Sequence, residues 1–258
     1  MKKIMYIIMV FIILFYFSHK RNEKILVKIL EEANAGDTKA QFGLASMYYL
    51  GGGRVEQSDE KALKWFTLAA ESGSPAAQFI VGQFYYIGKA VKQNYQRAFY
   101  WFELAAEQGN AAAQENLGYM YHMGQGATQD YQEAIKWYTL AAEQGDAGAQ
   151  VNLGYLYHMG QGVERDEEQA YYWSKKSAIQ GHSTGQNNLG CKYFHGEGVA
   201  ENKKLGIMWY LIAKRDKTHH HIEEDIELAL ADIDDKSELH HMVDICIQSN
   251  YENCYWDE

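Results

Sequence analysis

The sequence predicts an all-α fold, an α/α superhelix (solenoid) of about five helix-turn-helix repeats of 36 residues with helical caps. One observation is a line that occurs twice: residues 116–126 read NLGYMYHMGQG and residues 152–162 read NLGYLYHMGQG. The other is a tryptophan that recurs every 36 residues, at Trp65, Trp101, Trp137, Trp173 and Trp209. A line repeated at a fixed period indicates a structural unit, because a catalytic motif is needed only once in a domain.

Residues 1–21 are predicted to be a signal anchor or a signal peptide. Two lysines precede an uninterrupted apolar run from Ile4 to Phe17, as in an export signal. No small-residue cleavage site follows, which favours an uncleaved anchor, although the run is shorter than the ~20 residues that usually span a bilayer. We therefore expect the repeats to be anchored at the inner membrane or periplasmic, outside the cytoplasm. Basic residues behind the run leave a cytoplasm-facing membrane anchor as the alternative.

Residues 22–35 are predicted to form an N-terminal capping helix, and residues 36–216 the five repeats. In the third unit Ala113, Leu117 and Tyr121 lie on one helical face, and a second amphipathic helix follows. Small residues on both helices allow a close approach. Each tryptophan is therefore expected to be largely buried between them.

The predicted starts of the helices are also periodic. Asp, Asn and Ser are good N-caps, because their side chains accept hydrogen bonds from the first free backbone N–H groups. Such residues precede the second helices, at Ser58, Asn94, Asp130, Asp166 and Asn202. Before the first helices stand Asp37, Ser74, Asn110, Asp146 and His182, of which only the histidine is expected to cap poorly. Asp130 and Glu133 also resemble a capping box.

Residues 217–258 are predicted to be an acidic helical cap, with helices at 222–233 and 237–248. The net charge of −10 belongs to this end, because residues 216–258 hold 13 acidic and 2 basic residues and the remainder 21 and 22. Without a basic stripe, nucleic acid is not expected as a partner. Cys246 and Cys254 could form a disulfide if the domain is exported, whereas in the cytosol they would remain thiols.

The sequence offers no coherent catalytic set. It contains no phosphate-binding G-x-x-x-x-G-K, and no acidic pair stands at a repeated apolar position. The histidine clusters at 219–221 and 240–241 lack the spacing of metal ligands. We therefore expect no enzymatic activity, no cofactor, no metal and no small-molecule substrate.

The repeated pattern A-Q-x-N-L-G-x-x-Y-x-x-G-x-G-V, followed by D-x-x-x-A-x-x-W-x-x-x-A-A-x-x-G, resembles the Sel-one-like repeat (SLR) family, whose units are related to tetratricopeptide repeats. Gln114–Gly145 and Gln150–Gly181 match it nearly throughout. The resemblance implies a non-catalytic solenoid that binds a protein partner. It also implies two alternatives: an immunity protein that neutralises a secreted, phospholipase-type toxin, and a β-lactamase-like hydrolase. The missing repeated cysteine pairs weaken the second.

In related repeat families the first helices line a groove, which implies that a partner binds there. The implied contact residues are Asn116, Tyr119, His122, Asn152, Tyr155, His158 and Asn188. An asparagine side chain can pair with an extended peptide backbone, and tyrosine supplies rigid contact area. The three asparagines have a second interpretation, in which they serve the fold by bonding between units.

Overall fold

The computed structural model describes residues 24–51, 55–215, 236–251 and 254, and in these ranges it contains twelve α-helices. Their bounds are 24–34 (α1), Thr38–Leu50 (α2), Asp59–Glu71 (α3), Pro75–Ile87 (α4), Tyr95–Glu107 (α5), Ala111–Met123 (α6), Tyr131–Glu143 (α7), Ala147–Met159 (α8), Glu167–Ala178 (α9), Ser183–His195 (α10), Lys203–Arg215 (α11) and Lys236–Gln248 (α12). Each repeat is a pair of consecutive packed helices, from α2 with α3 to α10 with α11. The predicted all-α superhelix of five repeats is confirmed.

The chain divides into two compact units, Met1–Asn110 and Ala111–Glu258. In the first unit, α1 precedes the repeats α2–α3 and α4–α5. The second unit holds the repeats α6–α7, α8–α9 and α10–α11, followed by α12. Within each unit the second helix of a repeat packs on the first helix of the next: α3 on α4, α7 on α8, and α9 on α10.

Eight of the nine N-caps predicted at Asp, Asn and Ser form, and they occur in both helices of the repeats. A side-chain oxygen accepts a hydrogen bond from a backbone N–H two or three residues on at Asp37, Ser58, Ser74, Asn94, Asp130, Asp146, Asp166 and Asn202. His182 also stands at an N-cap, where its Nδ1 accepts from the N–H of Gly185, although the distance of 3.4 Å is long for a hydrogen bond. An imidazole nitrogen without a proton is an acceptor, so histidine can take the place of a carboxylate or hydroxyl here.

The predicted capping box at Asp130 and Glu133 does not form. The Glu133 carboxylate binds Nζ of Lys136 at 2.9 Å, and the N–H of Asp130 donates to the carbonyl of Tyr121 at 3.0 Å. This backbone bond closes the turn in every repeat; the other pairs are Ser58 and Tyr48, Asn94 and Tyr85, Asp166 and Tyr157, and Asn202 and Tyr193. A glutamate side chain therefore has no free N–H to cap at this position.

The tryptophans are less buried than predicted. Trp173 and Trp209 are buried. The other three, Trp65, Trp101 and Trp137, are half-buried. In the first three repeats the fully buried ring is that of the next residue, at Phe66, Phe102 and Tyr138. In these three repeats the tryptophan therefore lies at the margin of the core, and its neighbour fills the centre.

This central ring packs against a glycine of the first helix. In three repeats a Cβ on the glycine would lie 2.6–2.8 Å from the ring, for Gly82 and Phe102, Gly118 and Tyr138, and Gly190 and Tyr210. Since no side chain fits at such distances, glycine is what allows the ring to lie against the helix. In the fourth repeat Gly154 faces Ser174 instead, whose Oγ would lie 3.5 Å from the same Cβ.

In the second, third and fourth repeats a buried glutamine joins the first helix to the end of its own repeat, and in the second and fourth it also joins it to the preceding helix. Nε2 of Gln78 donates to the carbonyl of Ala70 at 3.2 Å, and its Oε1 accepts from Nε2 of Gln108 at 2.7 Å. The second unit repeats the bond between the two glutamines, from Gln144 to Gln114 at 2.6 Å and from Gln180 to Gln150 at 2.8 Å. The glutamine of the repeat pattern thus serves the fold.

At the C-terminal end α12 packs against the last repeat. Leu239 and Val243 are buried in the cluster that contains Trp209, and the ring of Tyr251 stacks on Trp209 with centroids 6.4 Å apart. Cys246 and Cys254 form a disulfide in this cluster. The predicted helix at 237–248 is confirmed, while the predicted helix at 222–233 lies outside the described residues.

None of the helices described is both long and apolar enough to cross a membrane. The predicted signal anchor at 1–21 lies outside the described residues, so the attachment of the chain to a membrane stays a prediction.

Candidate partner-binding face

The first helices of the second unit are neighbours, since α8 contacts both α6 and α10. We call the side they share the α6–α8–α10 face, which carries Asn116, His122, Met123, Asn152, Tyr155, His158, Met159 and Asn188. Contacts join these residues along the face. The rings of His122 and Tyr155 stack with centroids 6.1 Å apart, and Tyr155, His158 and Asn188 line one cavity. Of the predicted contact residues, Tyr119 packs against the core cluster that contains Tyr138 and Leu153, and the ring of His122 also contacts Tyr138, with centroids 6.4 Å apart.

The three asparagines of the repeated line have different environments. Nδ2 of Asn116 donates to Glu115 at 3.1 Å, and Nδ2 of Asn152 donates to the other oxygen of Glu115 at 3.3 Å. The second of these bonds joins two repeats, as the structural interpretation of the asparagines requires. Asn188 makes no hydrogen bond to the described part of the chain. Its amide is therefore available to a partner.

Glu115 is a half-buried carboxyl that the sequence reasoning missed. Burial, and then the nearby charge of Asp146, raise its pKa to about 7. A comparison of the repeats would have shown it, because Phe79 and Val151 occupy the equivalent positions. This carboxyl therefore titrates near neutral pH, close to the α6–α8–α10 face.

Between the fourth and fifth repeats lies a charged cluster of His158, Glu167, Lys192 and Glu197. Lys192 is only 5% exposed, and its Nζ lies 2.7 Å from Glu167, 2.9 Å from Glu197 and 3.0 Å from Nδ1 of His158. Arg165 binds Glu167 from the solvent side at 2.7 Å. Burial would raise the pKa of Glu167, but the hydrogen bonds from Lys192, His158 and Arg165 outweigh it and lower the pKa to about 2.

The charged cluster replaces an uncharged junction found elsewhere in the chain. At the position of Lys192 the earlier repeats bury Phe84, Met120 and Leu156. Glu167 stands where the second and third repeats carry Tyr95 and Tyr131. Glu197 stands where the third and fourth repeats carry Gln125 and Gln161. Sequence reasoning missed these three residues because it looked for what the repeats share. The signal was the departure of two adjacent copies at three linked positions, Glu167 in the fourth repeat and Lys192 and Glu197 in the fifth.

His158, Glu167 and Glu197 also have the geometry of a group that could hold a metal ion. The ammonium of Lys192, however, lies within 3.0 Å of all three. A cation would have to displace it from two carboxylates that it already neutralises. The cluster is therefore a charge network that fixes the junction between α8 and α10.

A cavity of about 110 Å³ opens beside this cluster. Its lining comprises Gly154, Tyr155, His158, Ser174, Asn188, Cys191, Lys192 and Glu197. Burial raises the pKa of the Cys191 thiol, which keeps it in the protonated and weakly nucleophilic form. The cavity therefore has the properties of a binding site and lacks an activated nucleophile.

The face also exposes large apolar side chains at repeated positions. Tyr155 is 43% exposed, and Met123 and Met159, the last residues of α6 and α8, are 50% and 49% exposed. Aromatic residues and methionine are enriched in protein interfaces, because they bury large areas and adapt to a partner. The arrangement suits contact with another protein.

The chain matches the Sel1 repeat model five times, at residues 38–74, 75–110, 111–146, 147–182 and 183–216. No curated protein matches the chain. A protective antigen of uropathogenic Escherichia coli with an SLR fold is 32% identical, with a TM-score of 0.74 over 86% of this chain and 48% of that one. This chain thus spans about half the length of the antigen.

A Sel1 repeat protein from Oxalobacter formigenes is 28% identical, with a TM-score of 0.75 over 90% of this chain and 96% of that one. An immunity protein from Pseudomonas aeruginosa is 22% identical, with a TM-score of 0.45 over 75% of each chain. A likeness that distant says nothing about the function of this chain. The five matches of the family model, in contrast, coincide with the five helix pairs, and the chain belongs to the Sel1 repeat family.

Proposed function

We propose that this chain is a non-catalytic scaffold that binds a protein partner on the α6–α8–α10 face. Sel1 repeat proteins are typically protein-interaction scaffolds, which supports the general role. The observation that carries the proposal for this face is the exposure of Met123, Tyr155 and Met159, together with the open cavity that Tyr155 lines. Burying such side chains in an interface removes apolar area from water and stabilises the complex.

The polar groups of the face complement this apolar surface. The amide of Asn188, which makes no hydrogen bond within the described ranges, can donate to and accept from the backbone of an extended partner segment. The acidic residues 216–258 favour a partner with a basic surface, because opposite charge accelerates encounter. The partner on this proposal is a protein with basic and aromatic residues at its contact surface.

A photo-crosslinking amino acid placed at single positions in the native cell tests the proposed face. Tyr155 on α8 and Tyr172 on α9 form a matched pair, since they are 43% and 44% exposed but lie on a first and a second helix. We expect p-benzoylphenylalanine at position 155 to give a discrete protein adduct and the same residue at position 172 to give none. Equal labelling at the two positions, or labelling only at 172, would show that the partner does not bind on the α6–α8–α10 face.

The identity of the adduct also decides the narrower alternatives. A secreted phospholipase-type protein joined to position 155 would favour the immunity role. Any other discrete protein would favour a general scaffold. Hydrolysis of β-lactams by the pure chain, lost on replacement of one polar residue, would instead revive the enzyme alternative.

We also propose that the repeats lie outside the cytoplasm, held there by residues 1–21. The apolar run Ile4–Phe17 supports this location, and so does the Cys246–Cys254 disulfide, because disulfides persist mainly in oxidising compartments. A C-terminal reporter active only after export should be active, and one active only in the cytoplasm should be silent. The reverse result would support a cytoplasm-facing domain.

A further inference from the structure

The cavity on the α6–α8–α10 face lies where other repeats have a ring of their own. Phe102, Tyr138 and Tyr210 each cover the glycine of the neighbouring first helix. In the fourth repeat the position after the tryptophan is Ser174, and the cavity of about 110 Å³ borders both Ser174 and Gly154. The serine leaves open a space that three sister repeats fill with a phenyl or phenol ring.

The rest of the lining suits an aromatic occupant. Tyr155 offers a ring for stacking or edge-to-face contact, and the thiol of Cys191 is polarisable. Asn188 can bond a polar tip such as a phenol hydroxyl. Cavities of roughly 150 Å³ take up a benzene ring, so an open cavity slightly smaller than that can admit a ring part of which protrudes.

A charged occupant fits this cavity less well. The carboxylates of Glu167 and Glu197 are balanced by Lys192 and Arg165, and the Lys192 ammonium already bonds both carboxylates. An incoming ion would lose its hydration without gaining an unpaired counter-charge. A neutral ring avoids this cost.

We propose that this cavity is a socket for an aromatic side chain, phenylalanine or tyrosine, inserted by the protein partner. The inference rests on the proposed function for the partner but locates one anchor within its surface. The inserted ring would replace in the complex the ring that the fourth repeat lacks. Gly154 allows this, because the absence of a Cβ leaves the helix surface flat beneath the ring.

The socket can be tested without the partner, using p-cresol, which is the tyrosine side chain as a free molecule. We expect saturable shifts of the Gly154 amide resonance in the full chain, with a dissociation constant on the order of millimolar. 4-Methylcyclohexanol, similar in size but not flat, should bind at least ~10-fold more weakly. Equal binding of the two probes would overturn the aromatic assignment.

Variants of Ser174 give the matched comparison. Ser174→Tyr restores the residue of the third and fifth repeats, so it should abolish p-cresol binding and raise the melting temperature. Ser174→Ala adds no ring and should keep the binding. If Ser174→Tyr does not fold, Asn188→Phe blocks the cavity from the face and should also abolish binding.

Retention of p-cresol binding in these blocked variants, or its absence from the wild type, would overturn the socket. Neither outcome bears on the crosslinking at position 155, so the proposed function is judged separately. If position 155 gives no protein adduct while p-cresol still binds, the cavity accepts an aromatic ring but the partner does not use it. That result would also overturn the proposed socket.

Discussion

Ser72 departs from the repeat pattern, and this departure removes one hydrogen-bond donor. The next three repeats carry Gln108, Gln144 and Gln180 at this position, and each donates to the buried glutamine of its first helix. In the first repeat the corresponding glutamine is Gln41, whose buried Oε1 has no partner in the described structure. A buried acceptor without a donor destabilises the fold.

Replacing Ser72 by glutamine should therefore stabilise the protein by about 1 kcal/mol, since it supplies the missing donor. Urea unfolding of the variant and the wild type measures the difference. The converse change Gln108→Ser, which removes the donor to Gln78, serves as the control and should destabilise by a similar amount. No gain in Ser72→Gln combined with a loss in Gln108→Ser would show that Gln41 is satisfied in another way.

Tyr138 should matter more to stability than Trp137, although only the tryptophan marks the repeat in the sequence. Tyr138 is fully buried against Gly118, whereas Trp137 is half-buried. Tyr138→Ala should cost ~3–5 kcal/mol, and Trp137→Ala less, ~1–2 kcal/mol. Chemical unfolding of both variants compares the two losses in the free energy of unfolding. An equal or larger loss for Trp137→Ala would show that Trp137 belongs to the centre of the core.

Glu115 should make stability fall as the pH rises. Because burial and Asp146 raise its folded pKa to about 7 from 4.5, the folded chain holds a proton that the unfolded chain releases between these values. Glu115→Gln should match the wild type near pH 4.5 and be more stable above pH 7, by ~1–3 kcal/mol. Unfolding curves from pH 4.5 to 8 measure this difference, and a constant difference across the range would exclude Glu115 as its source.

At the scale of the element, the junction between α8 and α10 differs from its neighbour in the chain. Lys192→Leu alone should cost ~3–5 kcal/mol, because it leaves Glu167 and Glu197 without their buried counter-charge. The triple change Lys192→Leu, Glu167→Tyr and Glu197→Gln copies the junction of Leu156, Tyr131 and Gln161. The triple variant should recover the lost stability and can be more stable than the wild type, since an uncharged junction requires no desolvation of ions.

The pH dependence distinguishes the two junctions. The depressed pKa of Glu167 contributes stability that is present above pH 4.5 and is lost as the pH falls toward 2. The triple variant should therefore lose less stability than the wild type in this window. Equal losses would show that the cluster is not held by charge.

The pattern of the repeats predicts the elements well but not the departures between them. The N-cap positions predict the helix starts because a cap acts locally, through hydrogen bonds within one turn, as at Ser58 and Asp166. The position of the core ring depends on how far one helix rotates against the other, which the period alone does not determine. For this reason Trp137 is predicted to occupy the place that belongs to Tyr138.

In the candidate site, too, the repeated positions are predicted from the sequence, whereas the departures between copies are not. Tyr155, His158 and Asn188 are predicted from the face of the first helices, and the structure brings them to one cavity. The size of that cavity depends on Ser174, which lies on another helix, and its charges depend on Lys192. Both become visible in the sequence only when the copies are compared position by position.

At the scale of the whole molecule, a repeat array depends on its ends, because a terminal repeat has a neighbour on one side only. Here α12 and the Cys246–Cys254 disulfide cover the last repeat around Trp209. Cys246→Ser with Cys254→Ser should lower the free energy of unfolding by about 2–3 kcal/mol, because the open loop regains chain entropy. Chemical unfolding measures the loss, and the wild type under reducing conditions should show the same loss. Unchanged stability in both would mean that packing alone holds the cap.

The bond that closes each turn, from a helix N-cap N–H to a tyrosine carbonyl, uses backbone atoms only. Its geometry does not depend on which side chains fill the repeat, so a duplicated copy can change its interior without losing its hairpin. The fourth repeat has exchanged a core ring for Ser174, and the fifth an apolar residue for Lys192, yet both keep the same bond at 2.8–3.0 Å. A chain built this way can evolve a new binding surface one copy at a time while the sister copies preserve the fold.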